Sequence, residues 1–327
     1  MFARYVSRGE AGNGRALRRC RIGARSGGSQ GGWVLTVMYR SAMIRLLVGL
    51  ASPVCAQAAS PDAPEALGGP SAPPRWVAMV GGSVTLVSDQ KDQPSTNISL
   101  TRILPKGYVS LSVSISDMAT RASTAGLLPD RIEIASIGAG RYMGMFLVEG
   151  HFAGGRGSYG NNSGSLSGAT FDSSADGLGV GASVSAMIKA GSTLVLTPRL
   201  GIDYSSTRIA GKAVVPNGQP SLTELKSDGF TYSAGGDIQL RFGASHRHSV
   251  TITATAMRTS NVTDFIHRTT RVDFDHKNDD VDLFANLAAT LNIGLSPKMG
   301  LGLGLSQSGF TSGTETTVIS TLLRLAF

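Results

Sequence analysis

Residues Ser192–Ser206 read STLVLTPRLGIDYSS, and the parity of that stretch decides the fold. Leu194, Leu196, Leu200, Ile202 and Tyr204 fall on one parity, while Thr193, Thr197, Arg199, Asp203 and Ser205 fall on the other. Side chains of an extended strand alternate between its two faces, so a period of two marks a strand with one apolar and one polar face. The same two faces recur downstream. Phe230, Tyr232, Ile238, Leu240 and Phe242 oppose Thr231, Ser233, Asp237, Gln239 and Arg241, and Leu301, Leu303 and Leu305 alternate with Gly300, Gly302 and Gly304. Upstream, Val109, Leu111, Val113 and Ile115 oppose Ser110, Ser112 and Ser114.

Working outward, twelve strands are expected at 76–87, 97–104, 107–116, 131–139, 142–154, 178–189, 192–205, 230–243, 248–258, 281–294, 299–306 and 315–327. Most reach the ~9–11 residues that a tilted membrane strand needs, and no apolar run after residue 58 is long enough for a membrane helix. The connections alternate. Pro105-Lys106, Gly140-Arg141, Ala190-Gly191, 244–247 and 295–298 are short, whereas 88–96, 117–130, 155–177, 206–229 and 259–280 are long. Short periplasmic turns and long extracellular loops are the rhythm of an outer-membrane barrel. An even number of strands leaves both ends of the barrel on the periplasmic side. The fold class expected is therefore all-β, a transmembrane antiparallel up-and-down β-barrel over 76–327. A soluble sandwich also alternates, but it would need further strands to cover so much apolar face.

Charge and cysteine are concentrated ahead of that domain. The chain carries 30 Lys+Arg against 22 Asp+Glu, for a formal net charge of +8. Nine arginines and a single acid, Glu10, precede Ala59, which leaves 21 bases and 21 acids for the rest. Nucleic acid is not an expected partner, because no basic cluster remains after Ala59 to bind a polyanion. Cys20 and Cys55 also lie in the early segment, so no disulfide or cysteine-held metal is expected beyond it, and no cofactor. Residues 38–58 have the parts of a signal peptide: Arg40 and Arg45, the apolar Leu46–Val54, and the Ala56-Gln57-Ala58 cleavage site. Residues 1–37 read as a non-structural or misassigned extension, and 59–75 as a Pro/Ala-rich linker that resists helix formation.

The last strand ends on Phe327, with Leu325 and Leu323 on its parity, and resembles the assembly signal read by the barrel-insertion machinery. With Thr197, Pro198, Gly201 and Tyr204 in matching places, Ser192–Gly211 is similar to the L-T-P-x-x-G-L-x-Y strand of the autotransporter β-domain family. The resemblance covers about 107–327, and that family's barrels have twelve strands. It implies a membrane-embedded translocator or pore. The family also places an exported passenger and a pore-threading helix before the barrel, and 59–75 has room for neither.

Polar residues on the inward parity are the candidate site. They are Glu149, Lys189, Arg199, Asp203, Asp237, Arg241, Asp282 and Arg324. Opposite charges on neighbouring strands are expected to pair inside the barrel. Two other constellations carry less. His246-Arg247-His248-Ser249 sets histidine near serine as a hydrolase would, but it falls on a short turn. Asp273, Asp275, His276, Asp279 and Asp280 sit in an expected loop without metal-loop spacing. No enzyme activity is expected. The expected location is the Gram-negative outer membrane, with lipid, lipopolysaccharide and the assembly machinery as partners. The alternative function is an adhesin-like barrel presenting 155–177, 206–229 and 259–280 to an extracellular partner.

Overall fold

A computed structural model describes residues 75–87, 92–117, 131–158, 170–214, 220–243, 246–268, 273–310 and 315–327. The expected extension, signal peptide and nearly all of the linker lie outside the described residues. Every regular element in the described part is a strand. They are β1 (Arg75–Val87), β2 (Gln93–Leu104), β3 (Gly107–Asp117), β4 (Arg131–Met143), β5 (Phe146–Ser158), β6 (Thr170–Ala186) and β7 (Ile188–Ala190), followed by β8 (Leu194–Val214), β9 (Pro220–Phe242), β10 (His248–Arg268), β11 (Asp273–Ser296), β12 (Met299–Phe310) and β13 (Glu315–Ala326). Each pairs antiparallel with its chain neighbours, apart from the short β7 discussed below. The ring closes where β1 meets β13, from Val77↔Ala326 to Val87↔Thr316. Trp76 and Phe327 extend that seam by exchanging backbone N–H···O bonds of 2.9 Å in each direction.

Thirteen segments make twelve barrel strands, because β6 and β7 are two parts of one. The register against β8 is the same on both sides of the break, with Ser185↔Arg199 before it and Ile188↔Leu196 after it. Between those pairs lies Pro198, which has no N–H to donate across the ladder. In that register Pro198 faces Ala186, while the next residue, Met187, gives its N–H to the Met145 carbonyl at 2.8 Å on the β5 side. On the other flank Pro198 faces Gly236, where an added Cβ would come within 3.0 Å of the Pro198 Cα. The proline thus interrupts a strand without ending it.

One expected turn is displaced. The chain does not reverse at Gly140-Arg141; β4 continues to Met143 and the reversal is Gly144-Met145, with Gly144 at φ 64°. Gly140 stays in the strand because the Tyr108 ring lies over it, where any Cβ would overlap the ring. Glycine here makes room for an aromatic cross-strand neighbour and is not a turn residue.

The long connections are also corrected. Residues 206–229 and 259–280 are mostly strand, since β8, β9, β10 and β11 run for 21, 23, 21 and 24 residues. Strand likewise takes up parts of 88–96 and 155–177, because β2 starts at Gln93, β5 runs to Ser158 and β6 begins at Thr170. A membrane crossing uses ~9–11 residues, so β8–β11 have roughly ten to spare, about 35 Å along the strand direction. The surplus is at the end opposite the short turns. There β11 outlasts its second neighbour: β12 reaches it only from Phe284 onward, and Asp273–Leu283 is bonded to β10 alone among the described strands.

Candidate functional site: the lumen wall

Burial in this barrel is inverted relative to a water-soluble domain. Leu200 is 60 % exposed, Leu287 and Leu111 are each 59 %, and Ile98 is 56 %, all on outward parities. The residues hidden on the inner wall are instead mostly hydroxyls and amides, among them Ser99, Thr101, Ser110, Thr197, Thr231 and Gln239. No water-soluble monomer leaves a continuous apolar belt around its circumference. The outer surface is built to face hydrocarbon, and the inner one to face water.

Aromatic rings bound that belt. Tyr204 and Phe230 sit 5.2 Å apart, and Phe230 and Tyr232 6.5 Å apart, towards the long-strand end. At the short-turn end Phe242 lies 5.6 Å from His248, and the Arg102 guanidinium lies 5.6 Å over the Trp76 ring. These are the girdle positions of a membrane barrel. Above the upper girdle, outward charges appear in one continuous row of strand register, Glu133↔Arg156↔Asp176↔Arg208↔Lys226. Arg156 binds Glu133 at 2.9 Å and Arg208 binds Glu224 at 2.7 Å. Exposed pairs of this kind add little stability, but they mark where hydrocarbon stops.

Within the lumen, three polar links are fixed to the wall of β3–β10. Glu149 is 8 % exposed, accepts a hydrogen bond from the Tyr108 hydroxyl, and accepts another from Ser183 Oγ at 3.1 Å. His151 Nε2 lies 3.1 Å from Asp203 Oδ1. Asp237 accepts from Thr253 Oγ1 at 2.6 Å, with the Arg199 guanidinium 3.8 Å away. The second link spans three strands. His151 on β5 and Asp203 on β8 are both in register with Gly181 on the intervening β6. A Cβ on Gly181 would overlap both side chains, so the missing side chain is what lets them meet.

Of the expected inward residues, Glu149, Arg199, Asp203 and Asp237 therefore belong to these links. Arg241 donates from Nε to Gln239 Oε1 at 3.0 Å, near the short-turn end. Lys189 shares a face with the buried Val195 at the same end, and Arg324 lies half-buried on the inner parity of β13. Asp282 is in β11, and its side chain lies outside the described ones. His151 and Tyr108 are members that the sequence reading overlooked. His151 shares the parity of Glu149 two residues away and could have been found from that.

The opposite arc of the wall is built largely of small residues. Gly304, Gly302 and Gly300 on β12 pair with Ser320, Leu322 and Arg324 on β13, and Ser83 Oγ is 2.6 Å from Ser95 Oγ on β1 and β2. Among the described residues, the buried Ser99 Oγ, Thr101 Oγ1, Arg199 Nε, Thr207 Oγ1 and Thr259 Oγ1 have no hydrogen-bond partner. Near the short turns a few apolar residues line the interior, with Val77, Met79 and Ala326 packed on Ile103 and Leu322. His246 and Ser249 form no catalytic pair: His246 occupies the turn at φ 53°, and Ser249 accepts a hydrogen bond from Asn292 at 3.4 Å. The side chains of the 273–280 acidic run lie outside the described ones.

A closed up-and-down barrel with an apolar exterior and a polar bore is the architecture of outer-membrane translocators and channels. The translocator domain of the autotransporter NalP from Neisseria meningitidis superposes with a TM-score of 0.52 at 10 % identity, covering 90 % of this chain and 99 % of that one. The β-domain of the Bordetella autotransporter BrkA matches at a TM-score of 0.43 and 11 % identity, over 78 % of this chain and 99 % of that one. The likeness to NalP is one of fold. No family model matches the sequence, and no curated protein does.

Proposed function

We propose that the protein is a water-filled pore or translocator of the Gram-negative outer membrane. The observation that carries this reading is the bore. Twelve strands about 4.8 Å apart and tilted by about 40° enclose a backbone tube roughly 24 Å across. Eight strands already give a barrel that side chains just fill. Here a wider tube is lined by Gly, Ser and Thr along one arc, and its charged groups are held against the wall along the other. Such a lining supports an aqueous path along the axis. Outer-membrane lipid surrounds the belt, and the insertion machinery that reads terminal strands delivers the chain there. Purified protein reconstituted in planar bilayers tests the reading: discrete ion conductance is expected, and a sealed membrane at every voltage overturns it.

A second reading has its own observation. β8–β11 extend well beyond the length a bilayer requires, which supports a role in presenting a sheet to an extracellular partner. A pore can also carry such a sheet. Replacing 262–280 by a short turn separates the two roles, since conductance would survive and partner capture would not.

A further inference from the structure

One row of strand register breaks the apolar belt on the outside of the barrel. Ala234 on β9 pairs with Ala256 on β10, Ala256 with Ala285 on β11, and Ala285 with Gly309 on β12. All four have the outward parity of Ile252 and Leu287, and none carries a side chain larger than a methyl group. At Gly309 an added Cβ would meet open space. The next row towards the short turns is bare on β9 and β10, where Gly236 faces Ala254, and is filled on β11 and β12 by Leu287 and Gln307. Large exposed side chains stand on both sides, Tyr232 and Leu283 above, Ile238, Ile252 and Leu305 below. The result is a furrow running across four strands, with a hollow of about 580 Å³ along it.

We infer that this furrow binds one net-anionic lipid of the outer leaflet, with an acyl chain lying in the furrow and the phosphate on Arg258. The inference rests on the membrane location proposed above and not on whether the bore conducts. Within the belt the medium is acyl chain, and a hollow left empty forfeits dispersion contacts on both sides. The dimensions suit a single chain. Four strands about 4.8 Å apart set Ala234 and Gly309 roughly 14 Å from one another, and the hydrocarbon of one leaflet is about 15 Å deep, half of ~30 Å. A second barrel is convex, so it would rest on the ridges without reaching the alanine floor. Charge then selects the headgroup. Arg258 is exposed on the upper ridge, in register between Tyr232 and Leu283, and Tyr232 belongs to the upper aromatic girdle. Its guanidinium therefore stands at headgroup level, where a planar fork of donors binds phosphate and basic residues favour anionic lipid. Two carboxylates bound the choice of position. Glu315 pairs with Gly309 and closes the β13 end, and Asp228 is four residues above Tyr232 on β9, so a phosphate is repelled from both places and drawn to Arg258.

The experiment is native mass spectrometry of the inserted barrel, released from nanodiscs holding equal amounts of phosphatidylglycerol and phosphatidylcholine. The wild-type chain is compared with A256F/A285F, which fills the furrow, and with R258Q, which leaves the furrow but removes the charge. Ala256 and Ala285 are exposed and point outward, so the larger rings have room, and gel mobility before heating verifies that each variant is folded. The wild type is expected to retain one phosphatidylglycerol in severalfold preference to phosphatidylcholine. A256F/A285F is expected to lose most of the retained lipid, and R258Q to retain lipid without the headgroup preference. No retained lipid, no preference in the wild type, equal retention by A256F/A285F, or a preference that survives R258Q overturns the inference and leaves the membrane barrel standing. A wild-type dimer that A256F/A285F breaks overturns it in favour of a second copy of the chain. A chain that never inserts overturns the membrane reading and this inference with it.

Discussion

Gly181 shows how a missing side chain can be a structural device. His151 and Asp203 cannot touch as next neighbours, because β6 runs between them, and they meet only over the bare backbone of that glycine. Gly181→Val should therefore separate the pair and force the wall outward. Overpacking of this kind costs about 1–3 kcal/mol. Urea unfolding in lipid vesicles checks the size, and Asp203→Asn serves as the comparison, since it weakens the pair without adding volume. If Gly181→Val is no worse than Asp203→Asn, the position is not sterically closed. Pro198 is a second residue with an effect larger than itself, opening the gap that divides β6 from β7. Neither role could be read from the chain alone. A glycine over which two other strands' side chains meet looks, in sequence, like any other glycine of an alternating Gly/Ser wall.

Each strand was legible where bilayer contacts it and illegible where it does not. Between Leu194 and Tyr204 one face must be apolar and the other polar, so parity is written into the residues. Above the upper girdle both faces of a strand meet water, the apolar parity vanishes, and 206–229 and 259–280 therefore look like loops although the backbone pairing continues through them. Gly140-Arg141 misled for a different reason: glycine marks turns on average, but this one lies beneath Tyr108. The polar links were half-legible, because parity located Glu149, Asp203 and Asp237 while their partners depend on neighbours distant in sequence. The extended hairpin has a consequence at this scale. Among the described strands, residues 284–294 of β11 are bonded on both sides, but 273–283 only to β10. Open edges exchange amide hydrogens through small local openings, so deuterium uptake should be fast over 273–283 and slow over 284–294. Uniform protection along β11 would mean that something covers the upper edge.

At the scale of the whole barrel, one solvent surrounds the outside and another fills the bore, and each predicts its own response to the same change. Leu200→Arg puts a charge into the hydrocarbon belt and should cost about 2–4 kcal/mol near the bilayer midplane, while Thr290→Arg, facing the bore, should cost far less. Equal losses in vesicle unfolding would remove the distinction between the faces. Backbone groups test the same division without any side-chain charge. Thr321 sits in β13, paired with Gly82 on one side and Leu303 on the other, at the seam that closes the ring. Thr321→Pro deletes a ladder N–H there and leaves its former acceptor facing lipid, where each unsatisfied polar group costs several kcal/mol because no water can replace the lost bond. Thr263 occupies an equally regular ladder, between Ser227 and Asn278, next to Asp264, which pairs with Lys226 and carries the charged row onto β10. If hydrocarbon ends at the charged row, the groups that Thr263→Pro frees should be open to solvation. The fraction of chain that keeps its compact, heat-sensitive gel mobility measures ring closure for both variants. Thr321→Pro should abolish most of it and Thr263→Pro should leave it nearly intact. A barrel immersed to the tips of β10 and β11 would lose closure in both, and one that is not immersed at all would show two similar, modest losses.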